Sequence, residues 1–205
     1  MIAKTERDAR RQAAILERRK AYIERWAQPR IRKAFVKMGD HFALLYEQGG
    51  ELRMATFADE VEKIMEQALN DVYDRVSRDM LNYAKGSTKG AIQNIEKKED
   101  ATEEELERAY QLLLESFTIE SITQSKYITE TLGKEFLQMI ADDPELVSKG
   151  PREVAKAIRA KAEDLSVYNS LRIARTEVNA ASNEAQTKFT EELWDEVDDG
   201  PLYKR

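Results

Sequence analysis

Seven apolar residues, Val61, Met65, Ala68, Val72, Val76, Met80 and Tyr83, follow one another at steps of +4, +3, +4, +4, +4 and +3. Those steps hold all seven on one face of an α-helix, whereas in a strand they would scatter over both faces. A stripe of that length predicts a helix over 56–85 with one buried side, and the rest of the chain must supply the cover. Little in the sequence prevents further helices. There are 8 glycines and 4 prolines in 205 residues, and the good helix formers Glu, Lys, Arg, Ala and Leu abound. The expected fold class is all-α. Charged residues make up 35% of the chain, against about 25% in an average soluble protein. So much charge on helices implies a large solvated surface and an elongated multi-helix assembly.

The breakers divide the chain. A basic helix is expected over 5–27, its apolar stripe of Ala9, Ala13, Leu16, Ile23 and Trp26 so thin that it needs a partner surface or stays solvated. Pro29 is expected to interrupt it, since proline lacks an amide hydrogen and crowds the preceding turn. A second helix over 30–47 carries Ile31, Phe35, Met38, Phe42 and Leu45 on one side and ends at Gly49-Gly50. Lys85-Gly86 reads as a basic last turn and glycine cap for the long third helix. Residues 87–101 read as a polar linker with a short helix around Ile92 and Ile95. Thr102 and Glu105 have capping-box spacing for a helix to about Phe117. Thr118–Thr123 alternates in polarity, so a strand competes there with a helix over 120–141. Asp142-Asp143-Pro144 stops that helix, Gly150-Pro151 starts another, and a last one spans 169–193. The organisation expected is a basic N-terminal helical arm and hairpin (1–50), a long helix and linker (51–101) and a C-terminal helical module (102–205).

Several chemistries find no footing. The chain has no cysteine, which removes disulfides, thiol catalysis and Cys-ligated zinc or iron–sulfur sites. His41 is the one histidine; Asp40 and Glu47 near it lack metal-ligand spacing, and no nucleophile elbow accompanies it. Gly86-Ser87-Thr88-Lys89-Gly90 resembles a phosphate loop only in composition, with the wrong order and no preceding strand. Asp142-Asp143, Asp195-Glu196 and Asp198-Asp199 lack the calcium-loop pattern and read as helix ends and solvated acid. No enzyme activity, cofactor or metal is expected. No apolar run is long enough to span a membrane, residues 1–30 hold no signal-type apolar core, and the basic helix is too thinly apolar for a membrane anchor.

Charge is unevenly placed. Residues 1–38 hold 12 Lys and Arg against 4 Asp and Glu, while the remainder holds 21 against 35. A basic end on an acidic body points to nucleic acid or to an acidic protein partner. Arg7, Arg10, Arg11, Arg18, Arg19, Lys20, Arg25, Arg30, Arg32, Lys33 and Lys37 are the candidate contacts, with Tyr22 and Trp26 among them to stack on bases or on a partner. Phosphate contacts of this kind would be independent of sequence and sensitive to salt.

The last helix differs from the others. Ala174, Val178, Ala181, Ala185 and Phe189 form a face with small residues in the middle, which lets another backbone approach closely. Arg172, Thr176, Asn179 and Asn183 form a second, polar stripe, with Glu177 and Glu184 beside it; such a ladder either meets water or fixes a neighbouring segment by hydrogen bonds. The run Leu171-Arg172-Ile173-Ala174-Arg175-Thr176-Glu177-Val178-Asn179-Ala180-Ala181-Ser182-Asn183-Glu184-Ala185 resembles the signature of the Mu F-like phage head-morphogenesis family. Ile173, Ala174, Arg175, Thr176 and Glu177 match its opening, and Asn183 and Ala185 its later part. The resemblance covers about 132–189. It departs at the C-terminal end, where members continue into a strand and a His-containing segment; Gly200–Arg205 reads as the entrance to that segment, with room for a minor β element. The resemblance implies a minor head protein of the virion, made in the host cytoplasm, that binds portal or capsid protein and assists head assembly, DNA packaging or DNA delivery without catalysis. The alternative expectation, from charge alone, is a sequence-independent nucleic-acid-binding protein acting through the basic arm.

Overall fold

A computed structural model describes the backbone of residues 2–88 and 103–194 and the side chains of 10–11, 13–83 and 104–188. All its elements are helices: α1 (Ile2–Thr56), α2 (Ala58–Thr88), α3 (Glu103–Asp142), the short α4 (Pro144–Ser148) and α5 (Pro151–Trp194). No strand occurs among the described residues. The expected linker helix near Ile92 and the β element near the C-terminus lie outside them, as does Phe189's side chain.

The four long helices run alternately up and down. Arg19 of α1 meets Asp79 of α2 while His41 meets Glu60; rising numbers on one helix meet falling numbers on the other. The same inverse order links α2 to α3 through Tyr73–Phe117 and Asp74–Tyr110, and α5 to α1 through Arg159–Glu47 and Arg175–Glu24. The result is an antiparallel bundle with α1 beside α2 and α5, and α3 diagonal to α1. At about 1.5 Å per residue, the 44 residues of α5 span roughly 66 Å, so the bundle is elongated.

One core runs through it. Its buried positions recur every eleven residues on all four long helices: Ile23, Ala34 and Leu45 on α1; Val61 and Val72, then Met65 and Val76, on α2; Leu106, Phe117 and Ile128 on α3; Ala162 and Ile173, then Ala174 and Ala185, on α5. Eleven residues in three turns is about 3.67 per turn, close to a straight helix. Each packing seam therefore stays on its neighbour with little coiling. The thin stripe expected of the first helix proves sufficient because α2 and α5 cover it: Ile23 and Ala27 are buried.

Three expected interruptions are absent. Pro29 sits inside α1, and helical backbone continues to Gln48, because Ala27 and Ile31 on either side are locked into the core. Proline leaves the Arg25 carbonyl without its amide donor; at the neighbouring Trp26 carbonyl the Arg30 guanidinium donates at 3.0 Å. Thr118–Thr123 belongs to α3, which is one helix where two were expected. Phe117, Ser121, Ser125 and Ile128 are buried along one side of the helix, and Thr118, Ser121, Thr123 and Ser125 each satisfy a hydroxyl on a carbonyl three or four residues back. The segment expected to start anew at 169 is likewise the continuation of α5.

Other breakers act as expected from their chemistry. Gly49 and Gly50 leave helical geometry, and Gly50 adopts φ of 65°, a left-handed conformation that favours glycine. A final helical turn to Thr56 then leads into α2, which runs to Thr88, past the expected cap at Gly86. Asp143 caps α4 by accepting from the Leu146 amide at 2.9 Å, Gly150 turns with φ of 97°, and Pro151 opens α5.

Candidate functional site

The signature run of α5 is divided between the core and α1. Ile173, Ala174, Glu177 and Ala185 are buried. Arg175 points outward yet reaches Glu24 of α1 at 3.7 Å, and Asn183 accepts from Lys20 Nζ at 3.1 Å. Of the polar ladder, Asn183 thus meets a neighbour within the chain. Arg172, Thr176 and Asn179 remain on the solvent face.

Glu177, beside the polar stripe in the linear spacing, in fact faces inward. It is 6% exposed and accepts a 2.5 Å hydrogen bond from the hydroxyl of Tyr73 on α2. Tyr73 in turn stacks on Phe117 of α3, ring centroids 5.0 Å apart, so three helices meet at this pair. Two turns further along α5, Glu184 accepts from the Ser116 hydroxyl of α3. Burial raises the Glu177 carboxyl above its ordinary value; the Tyr73 hydrogen bond opposes that rise, and the charge of Glu120 adds to it. Burial also raises the Tyr73 hydroxyl, aided by the Glu177 charge and by the hydrogen bond that holds the proton. The signal for this pair was present in the sequence: Glu177 has apolar neighbours at −4, −3, +1 and +4 (Ile173, Ala174, Val178, Ala181), and Tyr73 lies four residues from Leu69 and Ser77.

A pH dependence follows. A carboxyl whose folded value is raised stabilises the fold fully below its unfolded value, about 4.3, and loses that contribution as pH rises through the folded value. Glu177→Gln keeps an acceptor for Tyr73 and removes the titration. It should melt higher than the unsubstituted chain at pH 8, with the gap closing toward pH 4. Tyr73→Phe strands the buried carboxylate and should cost about 1–3 kcal/mol. In the unsubstituted chain, Tyr73 adds a loss of stability beginning near pH 10, where the unfolded hydroxyl ionises and the folded one does not. Thermal melts followed by circular dichroism from about pH 4 to about pH 10.5 check all three; parallel curves for the chain and Glu177→Gln would contradict the assignment.

Several basic residues of α1 between Arg19 and Arg32 are engaged within the bundle or along their own helix. Arg19 bonds Asp79 at 3.1 Å and lies 5.0 Å from the centre of the Tyr83 ring. Arg32 pairs with Glu163 at 2.6 Å. Lys20 has Asn183 and Glu17. Arg25 and Arg30 donate to carbonyls of their own helix, and Arg30 lies 3.7 Å over the Trp26 ring, a cation–π contact. Arg10 is exposed and engaged, and the Arg7 side chain lies outside the described residues. Arg11, Arg18, Lys33 and Lys37 are exposed, and no acid among the described residues pairs with them.

Among the remaining candidates, those that are described make local contacts. His41 Nε2 lies 3.4 Å from Glu60 Oε2, tying α1 to α2. Asp142 accepts from Gln138, and Asp143 is the cap already described; Asp195, Glu196, Asp198 and Asp199 lie outside the described residues, as does most of the 86–90 segment. No group of three or more His, Asp or Glu residues suited to a metal ion occurs among the described residues, and no described helix is long and apolar enough to cross a membrane. A cavity of about 10 Å³ between Arg19, Ile23, Asp79 and Ser182 has room for roughly one water molecule. No protein-family model matches the chain, and neither a curated protein nor a solved structure matches it.

Proposed function

We propose that this chain is a minor head protein of a tailed bacteriophage, working as a rigid helical docking module on the portal or inner capsid. What supports the reading is the run Ile173–Ala185. Its apolar members hold α5 in the bundle, its Arg175 and Asn183 hold α1, and the adjoining Arg172, Thr176 and Asn179 face solvent in a row, each about one turn from the next. A row of donors and acceptors on a stiff helix offers a partner hydrogen bonds whose positions are set before contact. The role is adhesion during head assembly and DNA packaging or delivery, and it requires no reaction.

Co-expression with portal and capsid proteins of a tailed phage tests this. The chain should co-purify with one of them, and Arg172→Asp with Asn179→Asp should lower that affinity on the order of tenfold while helicity is unchanged. A chain that elutes alone beside both proteins removes the reading.

A further inference from the structure

The outer face of α1 carries Arg11, Arg18, Tyr22, Arg25, Lys33 and Lys37. With Ala14 and Pro29 between them, these residues follow at steps of three or four, all are exposed, and none is acidic. From Arg11 to Lys37 the stripe is roughly 39 Å long at about 1.5 Å per residue. The opposite side of the bundle has the opposite sign. Helices α1 and α5, over 10–56 and 151–188, hold 18 Lys and Arg against 10 Asp and Glu; α2 and α3, over 58–83 and 104–142, hold 6 against 15. Because α1 neighbours α5, and α2 neighbours α3, the charge is divided between two halves of one rod.

Four acids of that half gather at one part of the α2–α3 seam. Asp59, Glu66 and Glu130 lie close enough to Glu62 to help raise its carboxyl, although burial is the larger cause and Lys126 opposes them. Apolar residues stand exposed on both halves: Tyr22 at 54% on α1, Ile119 at 69% and Tyr127 at 66% on α3. Each face therefore offers charge of one sign with apolar area among it.

We infer that the basic face of α1 docks on the acidic α2–α3 face of a second copy of this chain. The interface is heterologous: each copy presents one face and receives the other, so copies add in one direction and form a ring if the rotation closes. The occupant is another copy because the complementary surface, of opposite sign, is carried by the chain itself. Charge pairing at such a rim is screened by salt, with a Debye length of about 10 Å at 0.1 M. The inference stands apart from the phage reading, which concerns a different face and a different partner.

The test is sedimentation velocity of the full chain at about 25 mM and about 500 mM salt. Concentration-dependent association is expected at low salt and its loss at high salt. Arg18→Glu with Arg25→Glu should lower association on the order of tenfold or more, and so should Glu66→Lys with Glu130→Lys. Mixing the two reversed proteins should restore it, because each then carries a face that fits the other. Circular dichroism confirms that the variants remain helical. A chain that stays monomeric at low salt overturns the inference, as does association that neither pair of reversals affects. Retention of random-sequence duplex DNA by a monomer, abolished by the α1 reversals, also overturns it and assigns the stripe to nucleic-acid phosphates.

Discussion

Gly39→Leu is expected to lower stability by about 3 kcal/mol or more, a fall in melting temperature of roughly 6–12 °C for a chain of this size. Gly39 lies at a close approach of α1 and α5: a Cβ added there would stand 2.2 Å from the Cβ of Ala162, against the roughly 3.5–4.0 Å that two carbon atoms need. Nothing flexible can yield, because both atoms are fixed to helix backbones. Even Gly39→Ala should destabilise, although alanine in place of glycine favours a helix by about 1 kcal/mol. The control is Ala162→Gly added to Gly39→Ala. With the opposing Cβ removed, the next atoms are Ala162 Cα at 3.7 Å and the Ile158 carbonyl at 3.9 Å, ordinary contacts, so the double variant should return to within about 1 kcal/mol of the starting protein. An unchanged melting temperature for Gly39→Leu would show that the two helices do not approach this closely.

Phe42→Ala should cost about 3–5 kcal/mol. Phe42 is 1% exposed and reaches across the bundle from α1 to the diagonal helix α3. Its ring meets Phe136 edge-on, centroids 5.5 Å apart and planes at 74°, an arrangement favoured by the ring quadrupoles. Gly133 of α3 faces the same ring: a Cβ there would lie 3.6 Å from Phe42 Cζ. Removing the ring opens a cavity between two straight backbones that cannot readily collapse. Chemical denaturation should show a lower midpoint with a similar slope, since the area exposed on unfolding changes little. A loss below about 1.5 kcal/mol would mean that the surroundings refill the space.

How legible this architecture was depended on where each determinant lay. The buried face of α2 was written in consecutive steps of three and four, and the turns at Gly49-Gly50 and Gly150-Pro151 follow from local backbone chemistry. Pro29 misled because a local rule about lost amide bonds was outweighed by burial of Ala27 and Ile31. Thr118–Thr123 misled because alternation reports side-chain polarity, while the burial of Phe117, Ser121, Ser125 and Ile128 along one helical face is visible only in three dimensions. The pairing of Arg175 with Glu24 and of Asn183 with Lys20 joins residues from opposite ends of the chain; spacing along the sequence contains the ladder but not the identity of what it holds. Tyr73 and Glu177 were each inferable as inward-facing, but a hydrogen bond across helices α2 and α5 depends on the register of the whole bundle. The division of charge between two halves was hidden for the same reason, since it emerges only when α1 is set beside α5 and α2 beside α3.

The eleven-residue recurrence of the core has a consequence for how such a rod can change in length. Inserting one residue turns everything beyond it by about 100° and exposes what was inside. Inserting seven or eleven restores the inside to within about 20°, and eleven adds about 16 Å. A change of length that keeps the inside is therefore made in whole turns, taken together on all four long helices, so the size of such a rod behaves as a ruler graduated by the packing itself.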